Sequence, residues 1–225
     1  KKYATANIIE HVHQPRVKRR SGGHEILMPK EFAKLIEEVR PEFKVWLLIG
    51  GFAGLRTCEI SGEEGARDDR LKWEDFDWKH KRISIRPETS KTGQQRYVPI
   101  CDALHEWLEP YRKGKLRGFV HMTRLPTKIT GTNQGNRTVT PSETQRLGEF
   151  IGGWRDNCLR ASRASYRLAK TNNIDQTAME GGHTREVMMR DYLNPRFAED
   201  AEEWFSLTPS KVKSLNESNI IKLQA

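Results

Sequence analysis

The sequence predicts a mostly α domain carrying one small antiparallel β-sheet, an α+β fold. Apolar residues recur at steps of three and four through most of the chain, as amphipathic helices require. Two short alternating segments, 82–86 and 96–100, flank a Thr-Ser-Lys-Thr-Gly turn, which is the pattern of a hairpin. Hydrophobic residues make up 36% of the 225, enough for one large domain or two small ones.

The elements follow in order. Residues 1–12 are weakly helical, and 14–23 form a linker with a proline, a basic run and Ser-Gly-Gly. Pro29 opens a helix at its favoured first position, with Phe32, Leu35, Ile36 and Val39 on one face and Pro41 as a break. Residues 43–55 are apolar on most sides and predict a central buried helix. Gly54-Leu55-Arg56 then delivers an arginine, with Glu59 three residues on, a spacing that permits an ion pair. Residues 62–70 read as an acidic, glycine-punctuated loop. The hairpin follows, with Lys91 in its turn. Asp102 caps a helix that runs past Tyr111, and 113–141 is a basic, loop-rich stretch. Ser142 with Gln145 forms a capping box. Asn157 caps the next helix, whose basic stripe is Arg160, Arg163, Arg167 and Lys170. Residues 174–180 predict another helix, then Gly181-Gly182-His183, a short helix over 184–190, Tyr192, and a helix over 197–207. Val212, Leu215, Ile220, Ile221 and Leu223 make the tail, 207–225, a candidate docking element.

The net charge is +9, and its placement points to a polyanion partner. Residues 111–193 carry 15 Lys/Arg against 7 Asp/Glu. Nucleic acid is the simplest such partner, with Arg19, Arg20, Lys113, Lys115, Arg124, Lys128 and Arg163 as candidate backbone contacts. No run of about 18 apolar residues exists, so no membrane span is expected. Three cysteines without a CxxC spacing argue for reduced thiols, and the seven histidines lack metal-site spacings, so neither metal nor cofactor is expected.

The residue types around 157–192 suit chemistry on a phosphodiester. Arginine offers a fork of donors to phosphate oxygens. Histidine can donate to an oxyanion, and a tyrosine hydroxyl can act as a nucleophile. The ordered set is Gly54-Leu55-Arg56-x-x-Glu59, Lys91 before Arg96-x-Val98-Pro99-Ile100, Leu159-Arg160, Gly182-His183 and Tyr192 nine residues later. It resembles the catalytic domain of the tyrosine recombinase (phage integrase) family over residues 25–206.

The resemblance implies that Arg56 and Arg160 clamp the scissile phosphate and that Glu59 supports the first of them. It implies that Lys91 protonates the departing 5′ oxygen, His183 helps hold the phosphate, and Tyr192 forms a 3′-phosphotyrosyl link. It also implies double-stranded DNA as partner, a homotetramer on paired sites (or a monomeric isolated fragment), and a cytoplasmic, nucleoid-associated setting in a prokaryote or phage. Residues 1–24 would be the end of an N-terminal DNA-clamping domain and its basic linker. The chain departs from the family at Asn157, where a His or Lys is usual, and at Ala161, often a His. Asn can donate a hydrogen bond but cannot carry a proton away. Two other readings share these features: strand relaxation of the type IB topoisomerase kind, and a catalytically impaired DNA-binding relative.

Overall fold

The computed structural model describes residues 25–62, 70–90, 92–114, 117–120, 142–192, 194 and 196–215. Helix α1 (Pro29–Glu38) is opened by Pro29 and pairs the Met28 backbone N–H with Glu31. Pro41 ends one helix and begins the next, α2 (Pro41–Leu48). The predicted central helix then changes pitch. Residues Ile49–Ala53 are π-helical, and Gly54 closes the segment at φ +69°, a left-handed conformation that favours glycine. The short helix α3 (Thr57–Ser61) follows immediately.

The sheet has three strands in the order β1 (Phe76–Asp77), β2 (Arg82–Ile85), β3 (Arg96–Pro99), all antiparallel. Ile83 and Val98 face each other in register and are fully buried. β1 adds an edge strand to the hairpin read from the sequence. Helix α4 (Asp102–Lys113) is capped at Cys101 without a side-chain bond. Asp102, expected as that cap, instead accepts a hydrogen bond from Lys81 Nζ at 2.7 Å.

Helix α5 (Glu143–Glu149) carries the expected capping box, with Ser142 accepting from Gln145 N–H. Helix α6 (Cys158–Thr171) crosses the centre of the domain and packs on the π segment, on α7 (Ile174–Gly181) and on α9 (Ala198–Phe205). Between the last two lie α8 (Arg185–Val187) and a second π turn, Met188–Tyr192. An aromatic stack fixes the arrangement. Trp204 of α9 lies on Phe32 of α1 at 4.4 Å and on Tyr166 of α6 at 4.7 Å. Burying such rings supplies area and orientation together. Residues 209–215 are also helical, with Val212 buried, so the packed domain runs on past 206. Among the described residues no helix is long and apolar enough to cross a membrane.

Candidate active site

Arg56 follows Gly54 and Leu55 out of the buried π segment and begins α3. Its Nη1 donates to Glu59 Oε1 at 3.0 Å, its backbone N–H to Glu59 Oε2 at 2.9 Å, and its Nη2 to the Gly182 carbonyl at 3.2 Å. The ion pair expected from the spacing is present. Glu59 is fully buried and serves a second arginine: Arg96 Nη2 donates to Glu59 Oε2 at 2.7 Å. Burial pushes the Glu59 carboxyl up, but the hydrogen bond and charge of Arg96 outweigh it and hold Glu59 below the usual range. Arg96 Nε also donates to the Glu180 carbonyl at 3.2 Å, and its side chain packs against Gly182, whose φ is +63°. A Cβ at 182 would come within 3.2 Å of Arg96.

Arg160 lies in the first turn of α6 and is 4% exposed. Its Nη1 donates to the Gly54 carbonyl at 2.6 Å and its Nη2 to the Gly181 carbonyl. Nε and Nη2 both point at His183 Nε2, at 3.1 and 2.6 Å. Burial and the nearby Arg56 charge pull Arg160 down to about 10. The same causes, burial first and then Arg160 and Arg56, bring His183 down to about 2. The ring is therefore neutral, accepts at Nε2 and carries its proton on Nδ1. Nδ1 packs against Gly181, where a Cβ would come within 2.9 Å. The imidazole stacks on Tyr192, ring centroids 4.2 Å apart. Tyr192 ends the second π turn, and its carbonyl accepts from Ser165 Oγ at 3.2 Å. The Arg160 guanidinium carbon lies 5.9 Å from the Tyr192 ring centre.

The structure thus brings Arg56, Glu59, Arg160, His183 and Tyr192 together. Arg56 stands between two open cavities. One, of about 310 Å³, is lined by Arg160 and Asn157; the other, of about 530 Å³, by His183, Arg96 and hairpin residues Thr92, Gln94 and Gln95. Lys91 lies outside the described residues, as do Arg19, Arg20, Lys115, Arg124 and Lys128. Lys113 is exposed, 3.6 Å from Glu109. Two expectations need correction. Asn157 does not cap α6 through its side chain, because its backbone is left-handed (φ 56°) and directs the side chain elsewhere. Arg163 does not face solvent: it is 2% exposed and paired with Glu180. The basic stripe turns inward because α6 is buried on most sides, and Glu180 on α7 meets both Arg163 and Arg167, the latter at 2.8 Å.

Sequence reasoning assigned no role to Arg96 or Glu180. Arg96 had a signal, since strand alternation puts it on the buried face with Val98, opposite exposed Tyr97. An inward arginine on a strand needs a buried carboxylate, and Glu59 is that carboxylate. In sum, three guanidiniums (Arg56, Arg96, Arg160) surround one carboxylate beside a neutral histidine. The centre carries two positive charges in excess, which suits an anionic ligand that gains charge as it reacts.

No family model matches the sequence, and no curated protein is significantly similar to it. Solved structures do match. The crystal structure of XerA recombinase superposes with a TM-score of 0.51 at 18% identity, over 82% of this chain and 65% of that one. The Tn1549 transposon integrase, solved in complex with transposon right-end DNA, superposes with a TM-score of 0.53 at 15% identity, over 83% of this chain and 67% of that one. This chain thus spans slightly under two thirds of the XerA chain. The chain has the fold of a tyrosine recombinase catalytic domain.

Proposed function

We propose that this domain is the catalytic part of a site-specific DNA recombinase that cuts and rejoins strands through a 3′-phosphotyrosyl intermediate. What supports the reading is the convergence of Arg56, Arg160, His183 and Tyr192, from three distant stretches, on one centre with two surplus positive charges. In the proposed step Tyr192 Oη attacks phosphorus and gives its proton to a solvent water. The bond to the 5′ oxygen breaks, and that oxygen takes a proton from Lys91. Arg56 and Arg160 donate to the non-bridging oxygens as charge builds there. His183, neutral, orients Arg160 through Nε2 and holds the Tyr192 ring by stacking. The phosphotyrosyl bond conserves the energy needed for religation. The partner is double-stranded DNA, gripped also by Lys113 and by the basic residues at 19–20, 115, 124 and 128. The acting species is a tetramer on paired sites, in the cytoplasm of a prokaryote or a phage host.

One observation favours a second reading, a DNA-binding relative with impaired cleavage. Asn157 lines the cavity beside Arg160, where it can donate a hydrogen bond but cannot relay a proton. A nicked suicide duplex separates the two. The active enzyme forms a covalent adduct that Tyr192→Phe abolishes. A full-length protein that binds its own site without any adduct would sink the catalytic claim and leave the binding one. Asn157→His gives the complementary result: a large gain in adduct rate marks Asn157 as the defect.

A further inference from the structure

A third cavity, of about 240 Å³, lies further along α6 and shares no lining residue with the two beside Arg56. Its walls include Arg163, Arg167 and Lys170 from α6, Cys101 and Asp102 from the start of α4, and Phe205 from α9. Arg167 is seven residues beyond Arg160, about 10 Å along the helix axis at 1.5 Å per residue. The cavity is therefore separate from the centre around Arg160.

Its charge is unbalanced. Arg163 and Arg167 share a single carboxylate, Glu180. Lys170 adds a third cation, its Nζ held 5.3 Å over the Phe205 ring. The one acid on the far wall, Asp102, is already neutralised by Lys81 at 2.7 Å. Two positive charges remain. Arg163 supplies an independent sign of a ligand: it is 98% buried, since only 2% is exposed, yet its Nε and Nη1 have no hydrogen-bond partner. A guanidinium held in this way is costly unless an acceptor reaches it. Burial holds the Cys101 thiol above its usual value, while Lys170 and Arg163 each pull it down, so the two cations bear on the same wall.

We propose that this cavity is a second anion site, one that takes a small phosphate-class oxyanion, free phosphate or the terminal phosphoryl group of a small molecule. The unpartnered Arg163 guanidinium nitrogens and the exposed Lys170 ammonium are the donors such a group requires. A volume of about 240 Å³ accepts a phosphoryl group and excludes a DNA duplex. The proposal does not depend on the recombinase reading, because neither Arg160 nor Tyr192 takes part.

Cys101 on the wall reports occupancy. In the full chain, alkylation of Cys101 and Cys58 by a maleimide is followed by peptide mass spectrometry, in inorganic phosphate against chloride at matched ionic strength. Phosphate slows Cys101 by about fivefold or more, as expected for a mostly occupied site, and any slowing of Cys58 beside it reports the separate Arg56 centre. Lys170→Glu, at an exposed position that leaves the fold intact, removes the protection. Arg163→Met removes it too, and circular dichroism checks that this variant folds. Equal Cys101 rates in phosphate and chloride would overturn the proposal, as would full protection in Lys170→Glu. So would protection of Cys58 alone, which places the anion at Arg56. A duplex oligonucleotide that shields Cys101 where phosphate does not would overturn the small-anion assignment.

Discussion

At the scale of single residues, Glu59 and Arg96 are the supports of the candidate centre. Glu59 holds Arg56 from one side and is held by Arg96 from the other, while Arg96 also grips the Glu180 carbonyl just before the Gly181-Gly182-His183 turn. Loss of the Arg96 fork should let both Arg56 and the turn drift. Arg96→Lys retains charge but cannot bridge two acceptors in one plane. Adduct formation on a suicide duplex should fall roughly 10- to 100-fold, with DNA affinity changed less than about twofold, the signature of misplaced catalytic groups. A variant that loses affinity and rate in parallel would assign Arg96 to DNA binding instead. His183 carries a prediction about pH. Its folded value, about 2, lies below the ordinary 6.5. The unfolded chain therefore binds the proton first, so this contribution to stability is complete above about pH 6.5 and drains away as pH falls. Between pH 7.5 and 5.5 the loss should be about 1.4 kcal/mol. Glu59 and Glu180 titrate below their usual 4.5, so this window is free of them. Urea unfolding of wild type against His183→Gln at the two pH values measures it; equal slopes would refute a buried neutral imidazole.

At the scale of elements, the junction of α7 with its following turn sets where the imidazole sits. Gly181 lies directly beneath His183 Nδ1, at a distance no Cβ tolerates. Gly181→Ala should therefore push the ring off Arg160 and off Tyr192. Adduct formation should drop by about 10²-fold with little loss of helix, since alanine favours helix over glycine. Unchanged cleavage in that variant would mean the stack is dispensable. The elements themselves were largely legible. Pro29, the Ser142 capping box, the alternation of 82–86 and 96–100, and the Gly-Gly-His break each gave a local signal that the structure carries. Two features were not legible, for one physical reason. The π segments at Ile49–Ala53 and Met188–Tyr192 insert an extra residue per turn, which re-aims the chain just before Arg56 and at Tyr192. No periodicity test sees such a shift, because one extra residue in a five-residue turn is too short to register. The inward turn of Arg163 was hidden similarly. Its spacing from Arg160 and Arg167 is that of a solvated stripe, and only the partner Glu180, 17 residues on, makes burial tolerable.

At the scale of the whole molecule, the boundary near residue 206 divides a tail that has two parts. Leu207 and Val212 are buried in the domain, Leu215 packs against it, and Trp107 Nε1 donates to the Leu207 carbonyl at 2.8 Å. This first part is a structural closure over α4. Ending the chain at 206 strips away those apolar contacts and orphans the indole N–H, which should cost about 3–5 kcal/mol. Ending it at 215 should cost less than ending it at 206, because Leu207, Val212 and Leu215 remain. Ile220, Ile221 and Leu223 lie outside the described residues, and docking of the tail onto a neighbouring protomer is the expectation that rests on them. The two truncations separate closure from docking. Urea unfolding should place 1–206 clearly below 1–215. Sedimentation on paired DNA sites should show 1–215 bound without assembling into tetramers. Full assembly by 1–215 would remove the tail from the interface, and a 1–206 chain as stable as the full one would show that the closure contributes nothing.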